Sequence, residues 1–118
     1  MLRDWTDREF CYLTTTGRRT GRPHTIEIWF AIHDDRLYML SGGRDSADWV
    51  RNVQADPNVT VRAAEQTIAG RARVLEPHED EDVLARRLLV EKYEPIDHSS
   101  LTEWGRSSLP VVVEFPSA

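Results

Sequence analysis

Apolar and polar residues alternate most clearly over residues 23–32. From residue 26 onward the even positions are all apolar, namely Ile26, Ile28, Phe30 and Ile32, while the odd positions are mixed. A period of two indicates a strand with one buried face. The segment "HDDR" that follows is typical of a turn, so residues 37–41 are predicted to form a hairpin partner.

Four further segments are rich in β-branched or aromatic residues and are predicted to be strands. They cover residues 10–16, 59–63, 67–75 and 110–115. The six strands follow one another closely, which favours antiparallel pairing. We therefore predict a mainly β fold, a small six-stranded antiparallel β-barrel, closed or split, with peripheral helices, which would leave few exposed strand edges. A flat sheet covered by helices on one face is the alternative.

Helical patterns are predicted in three places. A short helix is expected over residues 4–10, and a second begins at Asp45 or Ser46 and runs to residue 55. The strongest helix covers residues 77–94, with acidic residues in its first turn, where the helix dipole favours them. Pro95 is expected to end it, and residues 96–109 are predicted to form a loop.

The length and composition fit one domain over residues 1–118. The chain is 40% hydrophobic and 30% charged, as globular proteins usually are. It has no apolar run long enough for a membrane-spanning helix and no signal-peptide core. The single cysteine, Cys11, excludes an internal disulfide framework and is predicted to be buried in a strand. A cytoplasmic location is therefore expected.

The charge distribution points to a small anionic ligand. The net charge is −5, with acidic and basic residues balanced up to residue 62 and acidic residues in excess beyond it. Such a chain lacks the basic face of a nucleic-acid-binding protein. Every basic residue except Lys92 is an arginine, and the guanidinium group suits phosphate and carboxylate.

Two segments combine glycine with arginine after a predicted strand. In the first, "GRRTGR" at residues 17–22, a glycine turn with exposed N–H groups would form an anion-binding concavity. A solvated hairpin tip explains it equally well. The second, "SGGRDS" at residues 41–46, precedes a helix and could seat a phosphate, although an ordinary capped loop is the simpler reading. Together, the two loops favour binding of a phosphate-bearing cofactor between them.

The remaining candidates for chemistry are weaker. The histidines show no metal-ligand spacing, so no metal site is expected. Trp29, Trp49 and Trp104 suit the core, although one of them could flank a flat ring. The sequence shows no paired acid and base, which favours chemistry carried by a bound cofactor.

Four segments resemble the deazaflavin-dependent nitroreductase family, whose members are flavin-reductase-like split β-barrels. They are "LTTTGRRTGRPHTIEIWF", "LYMLSGG", "ADWVRNVQADPNVTV" and the ending "KYEP…LPVVVEF". The resemblance covers residues 10–115 in the family's order. It implies coenzyme F420, a flavin-like ring on a ribityl phosphate chain that ends in lactate and oligoglutamate. It also implies an oxidoreductase that transfers hydride from reduced F420 to a small planar acceptor, such as a quinone or a nitro compound.

The resemblance also implies the site residues. The phosphate and the acidic tail of F420 would contact the loops at residues 17–22 and 41–46 and the helix that follows the second loop. The deazaflavin ring would lie along the strand edge at residues 25–28. The implied cofactor-binding set is Arg18, Arg19, Thr20, Gly21, Arg22, His24, Thr25, Ile26, Glu27, Ile28, Ser41, Gly42, Gly43, Arg44, Trp49 and Asn52. Ser41 and Tyr93 are the implied catalytic residues. The segment after Tyr93 departs from the family pattern, so an altered acceptor pocket is expected there.

Two other functions stay open at this stage. An FMN-binding split barrel is the first alternative. FMN ends in a single phosphate, which needs fewer contacts than the three arginines of the loop would provide. A non-catalytic protein that binds a cofactor or another anionic metabolite is the second alternative, suggested by the altered segment. Split barrels often form homodimers, although this family includes monomers, so a homodimer is one expected state.

Overall fold

The computed structural model describes residues 2–116, which form one curled sheet and a few helices. The strands are β1 (Cys11–Thr16), β2 (Pro23–Ile28), β3 (Ala31–His33), β4 (Arg36–Ser41), β5 (Asn58–Ala63), β6 (Gln66–Val74) and β7 (Leu109–Glu114). The α-helices are α1 (Asp48–Ala55), α2 (Asp80–Asp97) and α3 (Thr102–Ser107), with 3₁₀ turns at Leu2–Trp5 and Arg44–Ser46. The strand order is β2-β1-β5-β6-β7-β4-β3, and all pairs are antiparallel.

The sheet closes on itself because its two edge strands are neighbours in sequence. Strands β2 and β3 lie at opposite ends of the strand order, yet only Trp29 and Phe30 separate them. Three Cα–Cα steps reach at most about 11 Å, whereas the edges of a flat seven-stranded sheet would lie about 29 Å apart. The sheet must therefore curl into a split barrel. This confirms the predicted fold class and excludes the flat sheet.

The long strand predicted over residues 23–32 is wrong, and the sheet therefore has seven strands instead of six. Phe30 lies at the break, where its backbone leaves the ladder. The Phe30 N–H donates to the Tyr93 hydroxyl at 3.0 Å, and Lys92 Nζ donates to the Phe30 carbonyl at 2.8 Å. These two side chains of α2 satisfy the backbone groups that a continuous strand would have paired.

Two apolar cores lie on opposite faces of the sheet. Alternate residues of β4 point inward, among them Leu37 and Met39, and they pack with Val50 and Val53 of α1, which fills one end of the barrel. Tyr38 and Leu40 point outward and are covered by α2. Because both faces of β4 are buried, its four central residues, 37–40, are all apolar or aromatic. Cys11 is fully buried in the inner core, as predicted.

Each helix differs from its predicted bounds, and α2 begins at Asp80 and not at residue 77. Residues 2–5, not 4–10, form the first 3₁₀ turn, and α1 begins at Asp48 after a further 3₁₀ turn, so neither Asp45 nor Ser46 caps it. Helix α2 continues past Pro95 and ends at Asp97, and the capping residue His98 has a left-handed backbone (φ 60°). Proline in the last turn removes only one backbone donor. The predicted loop over residues 96–109 contains α3.

Within residues 2–116, none of the helices has the length and apolar character needed to cross a bilayer.

Candidate functional site

The basic loop, residues 17–22, is a closed turn between β1 and β2. The Gly17 N–H donates to the Arg22 carbonyl and the Gly21 N–H donates to the Gly17 carbonyl, both at 2.8 Å. Gly21 has φ +74°, which favours glycine, and a Cβ on Gly17 would lie 2.7 Å from Nε2 of His24. The glycines therefore shape the turn and let the His24 ring pack against it.

The backbone of this loop offers fewer donors than the sequence predicts. The N–H groups of Gly17 and Gly21 are used inside the loop, the Arg22 N–H donates to Thr20 Oγ1, and the Arg18 N–H donates to Asn52. Only the N–H groups of Arg19 and Thr20 have no partner within residues 2–116. An anion would therefore meet two backbone donors together with arginine side chains.

Asn52 of α1 fixes the loop in place. Its Oδ1 accepts hydrogen bonds from the Arg18 backbone N–H at 3.2 Å and from Arg18 Nη1 at 2.9 Å. Its Nδ2 donates to Thr15 Oγ1 at 3.1 Å, and the residue is only 3% exposed. Arg18 Nη2 also donates to Asp48 at 3.0 Å. Asn52 and Arg18 thus serve first to hold the loop against α1.

The loop, β2 and α1 surround a cavity of about 420 Å³, which we call the basic cavity. Its lining residues are Thr15, Gly17, Arg18, Arg19, Thr20, His24, Thr25, Ile26, Asp48, Trp49 and Asn52. Eight of these belong to the predicted cofactor-binding set. Arg19 makes no ion pair with any described residue, unlike Arg18, whose partner is Asp48. Arg19 is therefore the cation that is most available to a ligand there.

The structure does not bring the second loop, residues 41–46, into the basic cavity. Arg44 instead donates to the Ser107 carbonyl of α3, and Gly42 lies beside the indole of Trp104. Ser41 is buried and donates to the Arg44 carbonyl at 2.9 Å. Gly43 of this loop does not line the basic cavity either. Two residues of the first loop are also absent from its lining: Arg22, and Gly21, which lines a separate cavity. The second loop supports α3 rather than the basic cavity.

A second cavity, of about 500 Å³, lies beside the break between β2 and β3, and we call it the aromatic cavity. Its lining residues are Phe10, Glu27, Ile28, Trp29, Leu40, Asp97, Leu101 and Trp104. Only Glu27 and Ile28 belong to the predicted set. The other lining residues come from separate segments that no local motif connects, although the aromatic character of Trp29 and Trp104 is a weak signal.

Stacked rings form one wall of the aromatic cavity. Trp29 stacks on Tyr93 with ring centroids 4.2 Å apart and an interplanar angle of 5°. Trp104 meets Trp29 edge to face at 5.5 Å. Tyr93 itself is fully buried, and its hydroxyl lies 2.6 Å from the Glu9 carbonyl as well as beside Phe30. Burial raises the pKa of Tyr93, so this position favours a structural role over the catalytic role that the family resemblance implies.

Strand β2 connects the two cavities. Thr25 and Ile26 line the basic cavity, and the next two residues, Glu27 and Ile28, line the aromatic cavity. Because β2 is an edge strand, its outer backbone side is not paired with another strand. A long ligand with a charged end and a flat apolar end could therefore lie along β2 with both ends in contact.

The curled antiparallel sheet and the two cavities along its edge define a split β-barrel of the kind that binds flavin-like cofactors. A model of the F420H(2)-dependent quinone reductase family matches residues 2–116. The chain belongs to this family. The match confirms the resemblance to F420-dependent reductases, and coenzyme F420 is the cofactor that the family implies.

Individual proteins agree with this assignment. An F420H(2)-dependent quinone reductase of Mycobacterium tuberculosis is 31% identical over 70 residues, which is 57% of this chain and 47% of that protein. The chain therefore spans about half the length of the curated relatives it matches. The solved structure of an F420-H2 dependent reductase, FDR-A, has a TM-score of 0.71 and 28% identity, with 91% of this chain and 95% of that chain covered.

A further solved structure, described as a domain-swapped dimer, has a TM-score of 0.72 and 26% identity and covers 92% of this chain and 81% of that one.

Proposed function

We propose that this protein binds coenzyme F420 along β2 and transfers a hydride from its reduced form to a flat acceptor in the aromatic cavity. The acceptor would be a quinone or a nitro compound. The observation that carries the proposal is the course of β2, which passes from the basic cavity to the aromatic cavity within four residues, Thr25 to Ile28. Membership in the F420H(2)-dependent quinone reductase family supports it.

The basic cavity fits the anionic part of the coenzyme. Arg19 has no ion pair within residues 2–116, and its N–H and that of Thr20 are available for an anion. Asp48 offsets the charge of Arg18, so Arg19 would make the main charge-assisted contact to phosphate or tail. His24 and Trp49 would complete the walls around that part of the ligand.

The aromatic cavity has mostly apolar walls, which suit flat rings. Ile28, Trp29 and Leu101 give it apolar walls, and Trp104 closes one side. When bound, the reduced coenzyme supplies a hydride, two electrons with one proton, and a second proton exchanged through solvent converts a quinone to its quinol. The protein would hold the acceptor against the ring and exclude water from between them.

A titration with purified F420 tests the binding half of the proposal. We expect saturable binding, an affinity at least about tenfold weaker in Arg19→Ala, and a smaller salt dependence in that variant because one charged contact is gone. Arg87→Ala is the matched control, since Arg87 is an exposed arginine of α2 outside both cavities. Unchanged affinity in Arg19→Ala would refute the assigned position of the anionic end.

Turnover tests the second half. Reduced F420 mixed with a simple naphthoquinone should be oxidised in the presence of the protein and not in its absence. A parallel titration with FMN addresses the other flavin-like cofactor. Tighter binding of FMN than of F420 would overturn the cofactor assignment. If the protein bound F420 but no quinone or nitroaromatic oxidised the reduced coenzyme, a storage or sensing protein would be favoured.

A further inference from the structure

The aromatic cavity carries negative charge and no positive charge. Six of its eight lining residues are apolar or aromatic, and the other two are the carboxylates Glu27 and Asp97. Its lining includes no arginine, lysine or histidine. The neighbouring basic cavity has the opposite net charge, because two arginines, Arg18 and Arg19, line it with a single carboxylate, Asp48. The charge along β2 therefore changes sign between the two cavities.

Asp97 lies at a position that does not favour an acidic residue. It is the last residue of α2, where the helix dipole favours cations, and the last turn of α2 contains no basic residue. Its carboxylate accepts a hydrogen bond from the Ser99 hydroxyl, and it forms no salt bridge with any residue from 2 to 116. Helix stability does not explain this charge.

Glu27 also forms no salt bridge with any residue from 2 to 116. The Tyr12 hydroxyl donates to Glu27 Oε1 at 2.9 Å. The nearby guanidinium of Arg62 lies over the ring of Tyr12, 4.3 Å from its centroid, and forms no salt bridge with Glu27. Both carboxylates of the aromatic cavity therefore lack a cationic partner in the described part of the chain.

We propose that the aromatic cavity selects its acceptor by charge: it favours flat acceptors with a cationic group over neutral ones, and neutral over anionic ones. Glu27 and Asp97 would determine this preference. The indole faces of Trp29 and Trp104 add to it, because aromatic rings attract cations. The inference rests on the proposed function in that it places the acceptor in the aromatic cavity.

Three quinones with one scaffold provide the test. Each is a naphthoquinone with a propyl arm that ends in trimethylammonium, methyl or sulfonate, so the charge lies three carbons from the ring and the reduction potentials stay matched. At low ionic strength we expect kcat/KM to fall in that order, with about a tenfold difference between the two charged quinones. At about 0.5 M salt the difference should nearly vanish.

Variants assign the effect to the two carboxylates. Asp97→Asn and Glu27→Gln should each reduce the ratio of cationic to anionic kcat/KM, and the double variant should bring it close to one. Glu65→Gln removes the same charge from an exposed turn between β5 and β6, outside the aromatic cavity, and should leave the ratio unchanged. An equal effect in Glu65→Gln would mean that net charge, not the cavity, is responsible.

A binding measurement separates this inference from the proposed function. Ligand-observed NMR can compare the three quinones without coenzyme and with oxidised F420, where no hydride is transferred. The same order of affinities, lost in the double variant, supports charge selection even if turnover never occurs. Equal binding of the cationic and anionic quinones, or tighter binding of the anionic one, overturns it even if the protein proves to be a quinone reductase.

Discussion

At the scale of single residues, Asn52 shows how one buried side chain can hold the wall of a cavity in place through hydrogen bonds to the protein. It joins α1 to Arg18 and to Thr15, and it is buried. Asn52→Ala should lower the free energy of unfolding by about 1–3 kcal/mol and weaken F420 binding several-fold. The salt dependence of binding should not change, because no charge is removed.

Urea unfolding and a coenzyme titration measure these two effects. Gln54→Ala, an exposed position on the same helix, is the control for helix propensity. If Asn52→Ala lost stability but bound F420 as tightly as the unchanged protein, the basic loop would not need its contact with α1.

Tyr93 provides a second test at this scale. Its hydroxyl accepts the Phe30 N–H and lies within hydrogen-bond distance of the Glu9 and Phe30 carbonyls. Tyr93→Phe keeps the stacking with Trp29 and removes only the hydroxyl, so we expect a loss of about 1–3 kcal/mol in unfolding free energy. The rate of hydride transfer per folded molecule should stay within about twofold, as a structural role requires. A large rate loss in a fully stable variant would restore the catalytic assignment.

Residue patterns pointed to two glycine–arginine loops, and the structure places only the first of them beside a cavity. The basic loop was visible because glycine and arginine adjoin in sequence, and Arg18, Arg19 and Thr20 do line a cavity. Arg44 has the same sequence signature, but it donates to a carbonyl of α3. No sequence rule shows which partner an arginine meets when that partner is distant in the chain.

At the scale of elements, the first turn of α2 is held to the sheet by a four-membered ion network. Glu81 lies between Arg36 of β4 and Arg73 of β6, and both arginines also contact Glu114 of β7. The Tyr38 hydroxyl adds a hydrogen bond to Glu81 at 2.7 Å. The network therefore connects three strands to one helix.

Glu81→Gln tests the pH dependence of this attachment. Burial alone would raise the pKa of Glu81, but hydrogen bonds from Tyr38, Arg36 and Arg73 outweigh it, and the net pKa lies below the ordinary value of 4.5. The unfolded chain therefore binds the proton more readily, so the stabilisation exists above about pH 4.5 and is lost as the pH falls through the folded pKa. We expect the variant to lose about 1 kcal/mol at pH 7.

The difference between the variant and the unchanged protein should shrink towards zero in acid, as chemical denaturation at several pH values would show. Asp80→Asn, an exposed acid in the same turn, should show little loss at any pH. A loss in Glu81→Gln that is as large at pH 3 as at pH 7 would mean that the carboxylate charge is not what holds the helix.

Element bounds were predicted best where local signals agree. The turn in the segment "HDDR" and the strand predicted over residues 67–75 are both confirmed. The end of β2 was missed because the apolar residues at every second position continue past Ile28 to Phe30 and Ile32. The structure shows that the chain leaves one edge of the sheet after Ile28 and joins the opposite edge at Ala31. Helix α3 was missed because Gly105 reads as a helix breaker, whereas close packing against Val90 of α2 requires a glycine at that point.

At the scale of the whole molecule, the link formed by Trp29 and Phe30 sets the closure of the barrel. Inserting two glycines between them should displace Phe30 from Tyr93 and Lys92, lower the thermal midpoint by several degrees, and abolish acceptor binding in the aromatic cavity. The same insertion between Asp34 and Asp35, in the exposed β3–β4 turn, is the control and should have a small effect. Equal effects at the two sites would show that the length of the link does not matter.

The strand patterns predicted a mainly β molecule and favoured a barrel over a flat sheet, but they did not show that the sheet curls. Strand patterns such as Leu13 within β1 report which face is buried, and they do not report which strands become neighbours. The pairings β1–β5 and β4–β7 join distant segments, and periodicity carries no information on them. The family resemblance implied the split barrel, and the two-residue link is the physical feature that makes it necessary.

The same link has a consequence for the order of folding. The hairpins β1–β2 and β3–β4 are each local, and the link tethers them, so they can form early and remain close together. The hairpin β5–β6 is also local, and strand β7 then has to enter between β6 and β4. Because β7 is synthesised after the other six described strands and pairs on both sides, its docking is the step that joins β6 to β4 and completes the sheet.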